Sequence, residues 1–213
     1  MRAHRPIDIR PRLKETDLRV RRTRKVLKDA FVELLSERSF ASISVQEIAD
    51  RAMVNRATFY LHFEDKYRLF DFMMRDMFRQ IVDTHLPAGS TFSRNNLRLL
   101  ILATMEAFET INQHCTQAQE DRAALRPLVL AAVQEGLHEQ LAGWLEQIPL
   151  NPSWVTDPAT IETTAMTLSW AVFGAGMRWG GGSHTQPAAQ VAEQVARMLL
   201  DGLADLVPAA GID

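Results

Sequence analysis

Residues 44–63 read SVQEIADRAMVNRATFYLHF, and this stretch has the pattern of two short helices, each with its own start signal. Ser44 and Glu47 have the Ser-x-x-Glu spacing of a capping box, in which the two side chains satisfy backbone amides at the start of a helix. Asn55 precedes the second helix, where its side chain can accept a hydrogen bond from a free amide. The stretch therefore predicts a helix-turn-helix over about residues 43–63.

The second of these helices, residues 56–63, has an inner and an outer set of side chains. Phe59 and Phe63 are four residues apart and are expected to face the core. The side chains expected to project outward carry a guanidinium, hydroxyls and an imidazole, groups that bind base edges and phosphates in a major groove. These residues are Arg56, Thr58, Tyr60 and His62. Taken singly, Tyr60 would be interpreted as a half-buried aromatic and His62 as a surface histidine, but together they favour contact with DNA.

The charge of the chain is divided unevenly. Residues 1–80 contain 18 Lys and Arg against 12 Asp and Glu, a net charge of +6, whereas residues 81–213 carry −8. A basic first part predicts a polyanionic partner for that part only. Cys115 is the single cysteine, which fits a reducing compartment, and no apolar run reaches the ~18 residues of a membrane span. We expect a cytoplasmic protein with no membrane partner.

Helical periodicity extends along the chain, and no segment has the alternation of a strand. The sequence predicts an all-α fold in three parts: a basic mobile arm over 1–16, a three-helix helix-turn-helix DNA-binding domain over 17–86, and a helical bundle for dimerisation and ligand binding over 87–213. The second boundary is placed at the Pro-Ala-Gly-Ser stretch after Leu86. Helices are expected at about 17–37, 44–52, 56–63, 65–85, 94–116, 120–147, 158–179 and 188–207.

Residues 20–80 as a whole resemble the N-terminal domain of TetR-type transcriptional regulators. The resemblance is carried by the segment 44–52, by Thr58-Phe59-Tyr60, and by Phe63 followed by Asp65-Lys66. Beyond residue 85 it is looser and rests on an apolar segment and an Ala-rich last helix. It implies a sequence-specific repressor, homodimeric and without a cofactor, that a small-molecule ligand releases from a palindromic operator.

The same resemblance implies a set of DNA contacts, matched position by position. Lys66 corresponds to a lysine that binds a phosphate at the start of the fourth helix. Met53 departs from the family pattern, which has glycine in the turn, so either the turn is not left-handed or the chain tolerates strain of roughly 1 kcal/mol. The residues implied to bind DNA are Ser44, Arg56, Ala57, Thr58, Tyr60, His62 and Lys66.

Two helices of the second part are apolar over more of their surface than one chain can bury. Between Ala165 and Met177 nearly every face is apolar or small, and the last helix carries a wide apolar stripe. Such a surplus predicts a two-fold interface built from four helices. Gly174 and Gly176 are interpreted as a close helix contact rather than a nucleotide-binding loop. The residues expected in the dimer interface are Ala171, Gly174, Ala175, Val195, Ala196, Leu199 and Leu203.

The second part also contains large apolar side chains that could line a cavity for a small, apolar effector. Methionine and aromatic residues at helical spacing also form ordinary core, and the sequence leaves both interpretations open. The candidate pocket residues are Met105, Phe108, Trp144, Trp170, Phe173 and Met177.

Two other functions stay open at this stage. Glu135-x-x-His138 has the spacing of half a di-iron carboxylate site, which would fit a helical-bundle enzyme. A second copy is absent from the sequence, so a surface pair is the simpler interpretation. An architectural protein that coats DNA without choosing a sequence would also fit the basic first part. No metal ligand is predicted, because a single copy of the Glu-x-x-His motif is more often a surface pair, and no catalytic residue is predicted, because Cys115 has only the adjacent His114 as a base.

Overall fold

The computed structural model describes residues 18–114, 119–148, 158–182 and 186–203, and every element in these ranges is helical. Each expected helix is present, and a 3₁₀ turn at Phe40–Ser42, which the sequence did not predict, joins the first two. The expected arm at 1–16 and Cys115 lie outside the described residues. The helices are α1 Leu18–Glu37, α2 Val45–Arg51, α3 Arg56–His62, α4 Lys66–His85, α5 Arg94–His114, α6 Gln119–Leu145, α7 Pro158–Gly180 and α8 Ala188–Leu203.

The described part of the chain forms two compact units, which divide between Met73 and Met74, inside α4. The sequence placed the boundary later, after Leu86. The difference arises because α4 is buried at both ends by different neighbours. Phe70, near its start, packs edge-on against Phe40 with ring centroids 5.6 Å apart, whereas Phe78, towards its end, is buried in the core of the second unit.

The first unit is built around the inner face of α1. Leu27, Phe31 and Leu34 recur at helical spacing and are fully buried. Phe31 packs against Phe40 of the 3₁₀ turn, with ring centroids 5.9 Å apart. This aromatic contact joins α1 to the chain segment that leads into α2.

The second unit packs α5 against α7 and α8, and α6 against α7. Gly176 permits the close approach of α5 and α7, because a Cβ atom at this position would lie 2.5 Å from Thr104 Cγ2. The predicted close contact is therefore confirmed at Gly176. At Gly174 a Cβ would meet nothing within 4 Å, so no such contact is made there within one chain. In the described parts of the chain, no helix combines the length and the apolar composition of a membrane span.

The last helix, α8, turns a different side towards its own core than the sequence suggested. Its buried residues are Ala192, Ala196, Leu200 and Leu203. The expectation that Ala196 and Leu203 face a second chain is therefore corrected, since they are 0% and 5% exposed within one chain. A wide apolar stripe on a helix does not show which of its residues face the core of the same chain. In α8 those residues are determined by packing against α5.

Candidate nucleic-acid interface

The first helix of the helix-turn-helix begins at the predicted capping box. Ser44 Oγ accepts a hydrogen bond from the Glu47 amide at 3.3 Å, and Glu47 Oε2 accepts from the Ser44 amide at 2.8 Å. The Ser44 hydroxyl also donates to Glu47 Oε2 at 2.7 Å. Hydrogen bonds from the hydroxyl and the amide of Ser44, together with Arg38, lower the pKa of Glu47. Ser44 is therefore a cap in this structure, and its hydroxyl is engaged with Glu47.

The turn between α2 and α3 is left-handed at Met53, where φ is +53°. The amide of Val54 donates to the Ala49 carbonyl at 2.9 Å, and the amide of Met53 donates to the Asp50 carbonyl at 3.1 Å. These two bonds form a Schellman motif, which normally has glycine at the left-handed position. The turn is therefore left-handed, and the chain tolerates the strain of a non-glycine residue at Met53.

Ion pairs connect α2 and the end of α1 at the protein surface. Arg51 donates to both carboxylate oxygens of Glu37, at 2.8 and 3.0 Å, and to Glu33 at 3.3 Å. These bonds raise the pKa of Arg51 and lower that of Glu37. Arg38, just after α1, contacts Glu47 at 2.7 Å.

The second helix, α3, starts at Asn55 as predicted, with Asn55 Oδ1 accepting from the Ala57 amide at 2.8 Å. Phe59 and Phe63 are buried, 0% and 7% exposed, and their ring centroids lie 5.9 Å apart. The predicted inner face is therefore confirmed. Because α3 is capped at its start and buried at Phe59 and Phe63, its other face is exposed to solvent.

Arg56 and Tyr60 form a pair on the exposed surface of α3. Arg56 Nη2 donates to the Tyr60 hydroxyl at 3.2 Å, and the guanidinium carbon lies 5.5 Å from the centre of the Tyr60 ring. Tyr60 remains 40% exposed. The pair limits the conformations of a long cationic side chain and leaves most of its guanidinium N–H donors for another partner.

Ala57 and Leu61 lie on the side of α3 opposite the buried Phe59. The polar side chains from which the sequence predicted DNA binding lie to either side of them. Ala57 and Leu61 are both exposed, Leu61 by 54%, and they line a shallow groove with Tyr60 and Glu64. Ala57 is among the residues that the family resemblance implies, whereas Leu61 was not predicted. The helical period contained the signal, because Leu61 follows Phe59 by two residues, or about 200° around the helix.

Thr58 and His62 lie at the margin of the exposed face, and each is partly buried. The Nδ1 atom of His62 is buried and has no hydrogen-bond partner. Burial, and secondarily the charge of Arg24, lower the pKa of His62 below its usual 6.5. His62 is therefore a neutral, partly enclosed ring at pH 7 rather than an outward-pointing cation.

Lys66 does not extend outward as the family resemblance implied. Its ammonium donates to the carbonyl oxygens of Phe40 at 2.8 Å, Ala41 at 3.1 Å and Ile43 at 2.7 Å. It also lies 4.7 Å from the centre of the Phe40 ring. An ammonium has three donors, and all three have acceptors within the chain. The expectation of a phosphate ligand is corrected: Lys66 joins the start of α4 to the 3₁₀ turn.

Comparison with known proteins supports the interpretation of this geometry. The family profile described as "Bacterial regulatory proteins, tetR family" matches residues 27–73, which include both helices of the motif. The HTH-type transcriptional regulator Rv0767c of Mycobacterium tuberculosis H37Rv is 31% identical over 170 residues, covering 76% of this chain and 72% of that protein. The chain belongs to the TetR family of bacterial regulatory proteins.

Two further similarities differ in extent. The HTH-type transcriptional regulator YxbF of Bacillus subtilis is 34% identical over 90 residues, which cover 42% of this chain and only 23% of that protein. The crystal structure of the TetR family repressor AlkX from Dietzia sp. DQ12-45-1b has a TM-score of 0.52 at 14% identity, covering 92% of this chain and 99% of that chain. The AlkX likeness supports the all-helical fold.

The six candidate pocket residues of this TetR-family protein do not lie in one environment. Trp170 and Met177 are 57% and 39% exposed, whereas the other four are buried. Trp144 packs against Phe92, and its indole Nε1 donates to the Ser90 carbonyl at 2.7 Å. The other three candidates, Met105, Phe108 and Phe173, are each at most 5% exposed.

The residues expected at the dimer interface also separate into two groups. Ala196 and Leu203 belong to the core, as described above, and the other five are partly exposed. The most exposed apolar side chains of the second unit are not among these seven residues: Met166, Trp170 and Met177 lie on α7, and Met198 lies on α8.

The Glu135-x-x-His138 pair does not form a joint site in the structure. Glu135 pairs with Arg75 of α4, whereas His138 Nε2 lies 3.2 Å from Glu162 of α7. Within the described ranges, no three His, Cys, Asp or Glu side chains come together as a metal ion would require.

Proposed function

We propose that this protein is a transcriptional repressor that binds a palindromic operator as a homodimer and is released by a small effector. The observation that carries the proposal is the exposed face of α3, an outward-facing surface on a helix capped at its start and buried along its opposite side. We place the protein in the cytoplasm, with duplex DNA as its macromolecular partner and no catalytic role.

Recognition of bases is assigned to α3. Arg56 offers a planar fork that can pair with guanine O6 and N7, and Tyr60 supports it by ring stacking and a hydrogen bond. Ala57 and Thr58 are close enough along the same helix to contact neighbouring bases. His62 and Ser44 are proposed as marginal contacts, because one is partly enclosed and the other is a cap.

A homodimer is supported by the apolar surface of α7 and α8. Met166, Trp170 and Met177 recur at helical spacing on α7, and Trp170 leaves more than half of its surface exposed. Gly174 lies between them with open space over its Cα atom, so another helix can approach closely there. Two copies joined through this face would present two α3 helices to two half-sites, the arrangement that a palindromic operator requires.

An effector site in the second unit is supported by an unsatisfied polar atom between α6 and α7. Gln134 Nε2 donates to Ser169 Oγ at 2.9 Å, but Gln134 Oε1 is buried and has no hydrogen-bond partner. A buried acceptor without a donor costs about 1–3 kcal/mol. A largely apolar effector with one hydrogen-bond donor would satisfy this atom. By preferring one conformation of the unit, such an effector would shift the population away from DNA binding.

Selection of bound sequences from a pool of random duplex DNA tests the DNA-binding part. The proposal predicts an enriched inverted repeat whose half-site centres are about 10 base pairs or a multiple of one turn apart. A protein that coats DNA without choosing a sequence would enrich nothing, although it would still bind in low salt. That outcome would favour the architectural alternative.

A thermal-shift screen followed by titration of the selected operator tests the effector part. Apolar compounds that carry a hydrogen-bond donor are expected to raise the melting temperature and to weaken operator binding by about 1–3 kcal/mol. Gln134→Leu should abolish this response and leave operator affinity without effector unchanged. If every compound that binds leaves the operator affinity as it was, release by an effector is wrong.

A further inference from the structure

Three of the four side chains that line the groove on the outer face of α3 cannot donate a hydrogen bond to a phosphate, and the hydroxyl of the fourth, Tyr60, is hydrogen-bonded to Arg56. Ala57 and Leu61 have no hydrogen-bond donor in their side chains, and Glu64, which lines the same groove, carries a carboxylate that repels phosphate. Protein contacts to phosphates come from cations and hydrogen-bond donors. The chemistry of this groove therefore suits base edges rather than the DNA backbone.

Within the major groove, one base offers an apolar group: thymine, through its C5-methyl. We propose that Leu61, assisted by Ala57, determines operator specificity by packing against the C5-methyl of a thymine. The inference rests on the proposed function, because it assigns one base contact within the DNA-binding face of α3.

The position of Leu61 on α3 distinguishes it from an isolated apolar residue on a protein surface. Isolated apolar residues on a surface are ordinary and need no explanation. Leu61, however, lies opposite the buried Phe59 on a helix that has seven residues, Arg56–His62. Leu61 and Ala57 are therefore exposed on the side of α3 opposite its buried face, beside the exposed Arg56–Tyr60 pair.

Replacing individual thymines of the selected operator by deoxyuridine removes single methyl groups and tests the contact directly. Wild-type protein should bind about three- to fivefold more weakly per half-site when the contacted thymine is replaced, a ratio corresponding to the burial of about one methyl group. The Leu61→Ala variant should bind the thymine operator more weakly than wild type by a similar factor. Its affinity should fall no further when the thymine is replaced by deoxyuridine. Because Leu61 is more than half exposed, the variant is expected to melt as wild type does.

Val32→Ala provides the matched control, since Val32 is a 48% exposed apolar residue of α1 in the same unit. For this variant, the ratio of the affinities for the thymine and the deoxyuridine operators should equal the wild-type ratio. The proposal is overturned if wild-type protein is indifferent to deoxyuridine at every position, or if Leu61→Ala keeps the full wild-type ratio. If no sequence is enriched at all, the proposed function itself fails, so the two failures are distinguishable.

Discussion

Replacing Lys66 by methionine separates a structural role for this lysine from a role in binding phosphate. Methionine keeps an unbranched apolar chain against the Phe40 ring but removes the ammonium that donates to the carbonyls of Phe40, Ala41 and Ile43. The structure therefore predicts that Lys66→Met destabilises the first unit. A phosphate ligand would instead predict weaker DNA binding with little change in stability.

The magnitude follows from the environment of the three hydrogen bonds formed by Lys66. The bonds to Phe40 and Ile43 are partly buried, and the bond to Ala41 is exposed. Counting only the partly buried pair, at about 1.5–3 kcal/mol for each bond to a charged group, and allowing for water at the freed carbonyls, we expect a loss of about 2–4 kcal/mol. Lys25→Met is the control, because Lys25 is exposed and pairs only locally with Asp29, so its loss should cost under about 0.5 kcal/mol.

The assay must report on the two units separately. All four tryptophans lie beyond residue 73, so tryptophan fluorescence follows only the second unit. Amide hydrogen exchange over residues 40–49 follows the first. Lys66→Met should accelerate exchange there and leave the fluorescence transition unchanged. If exchange is unaffected while the salt dependence of DNA binding flattens by about one unit, Lys66 binds phosphate and the structural role is wrong.

Three further outcomes are expected. Met53→Gly should raise the free energy of unfolding by about 0.5–1 kcal/mol, because it removes left-handed strain of about 1–2 kcal/mol against a smaller gain of unfolded-state entropy; a destabilised variant in chemical denaturation would contradict this. The pKa of His62 is lower in the folded state than the usual 6.5, so the unfolded state binds the proton more tightly, and unfolding free energy should fall as the pH drops below about 6.5. His62→Gln should flatten this dependence in melts between pH 5 and 7, and an unchanged slope would exclude His62 as its source. Trp170→Arg should sediment as a monomer at micromolar concentration, and a variant that remains fully dimeric would rule out the exposed face of α7 as the interface.

The features that could be predicted from sequence are those that depend on near neighbours. The capping box of Ser44 and Glu47 and the cap at Asn55 involve residues two or three positions apart, so their spacing alone specifies them. The inner face of α3 follows in the same way from Phe59 and Phe63, one turn apart. Local hydrogen bonds and a short apolar repeat thus identified both helices of the motif.

The features that sequence did not predict depend on distant partners or on shape. The acceptors of Lys66 are 23 to 26 residues away in the chain, so no local pattern indicates them. Ala196 was assigned to the wrong side because α8 is apolar around much of its circumference, and the choice depends on packing against α5. Leu61 was not predicted because the outward residues of α3 were chosen for their polar groups, although the helical period placed Leu61 opposite Phe59.

The central claim, that α3 reads the operator sequence, is tested most directly by the affinity of Arg56→Ala for selected and scrambled duplexes across a series of salt concentrations. If Arg56 pairs with guanine, its loss should weaken binding to the selected operator by about 1–3 kcal/mol per half-site. Binding to the scrambled duplex should barely change, so the ratio of the two affinities should fall. If Arg56→Ala weakens binding to both duplexes equally and flattens the salt dependence, Arg56 binds phosphate, and the claim that it reads sequence is contradicted.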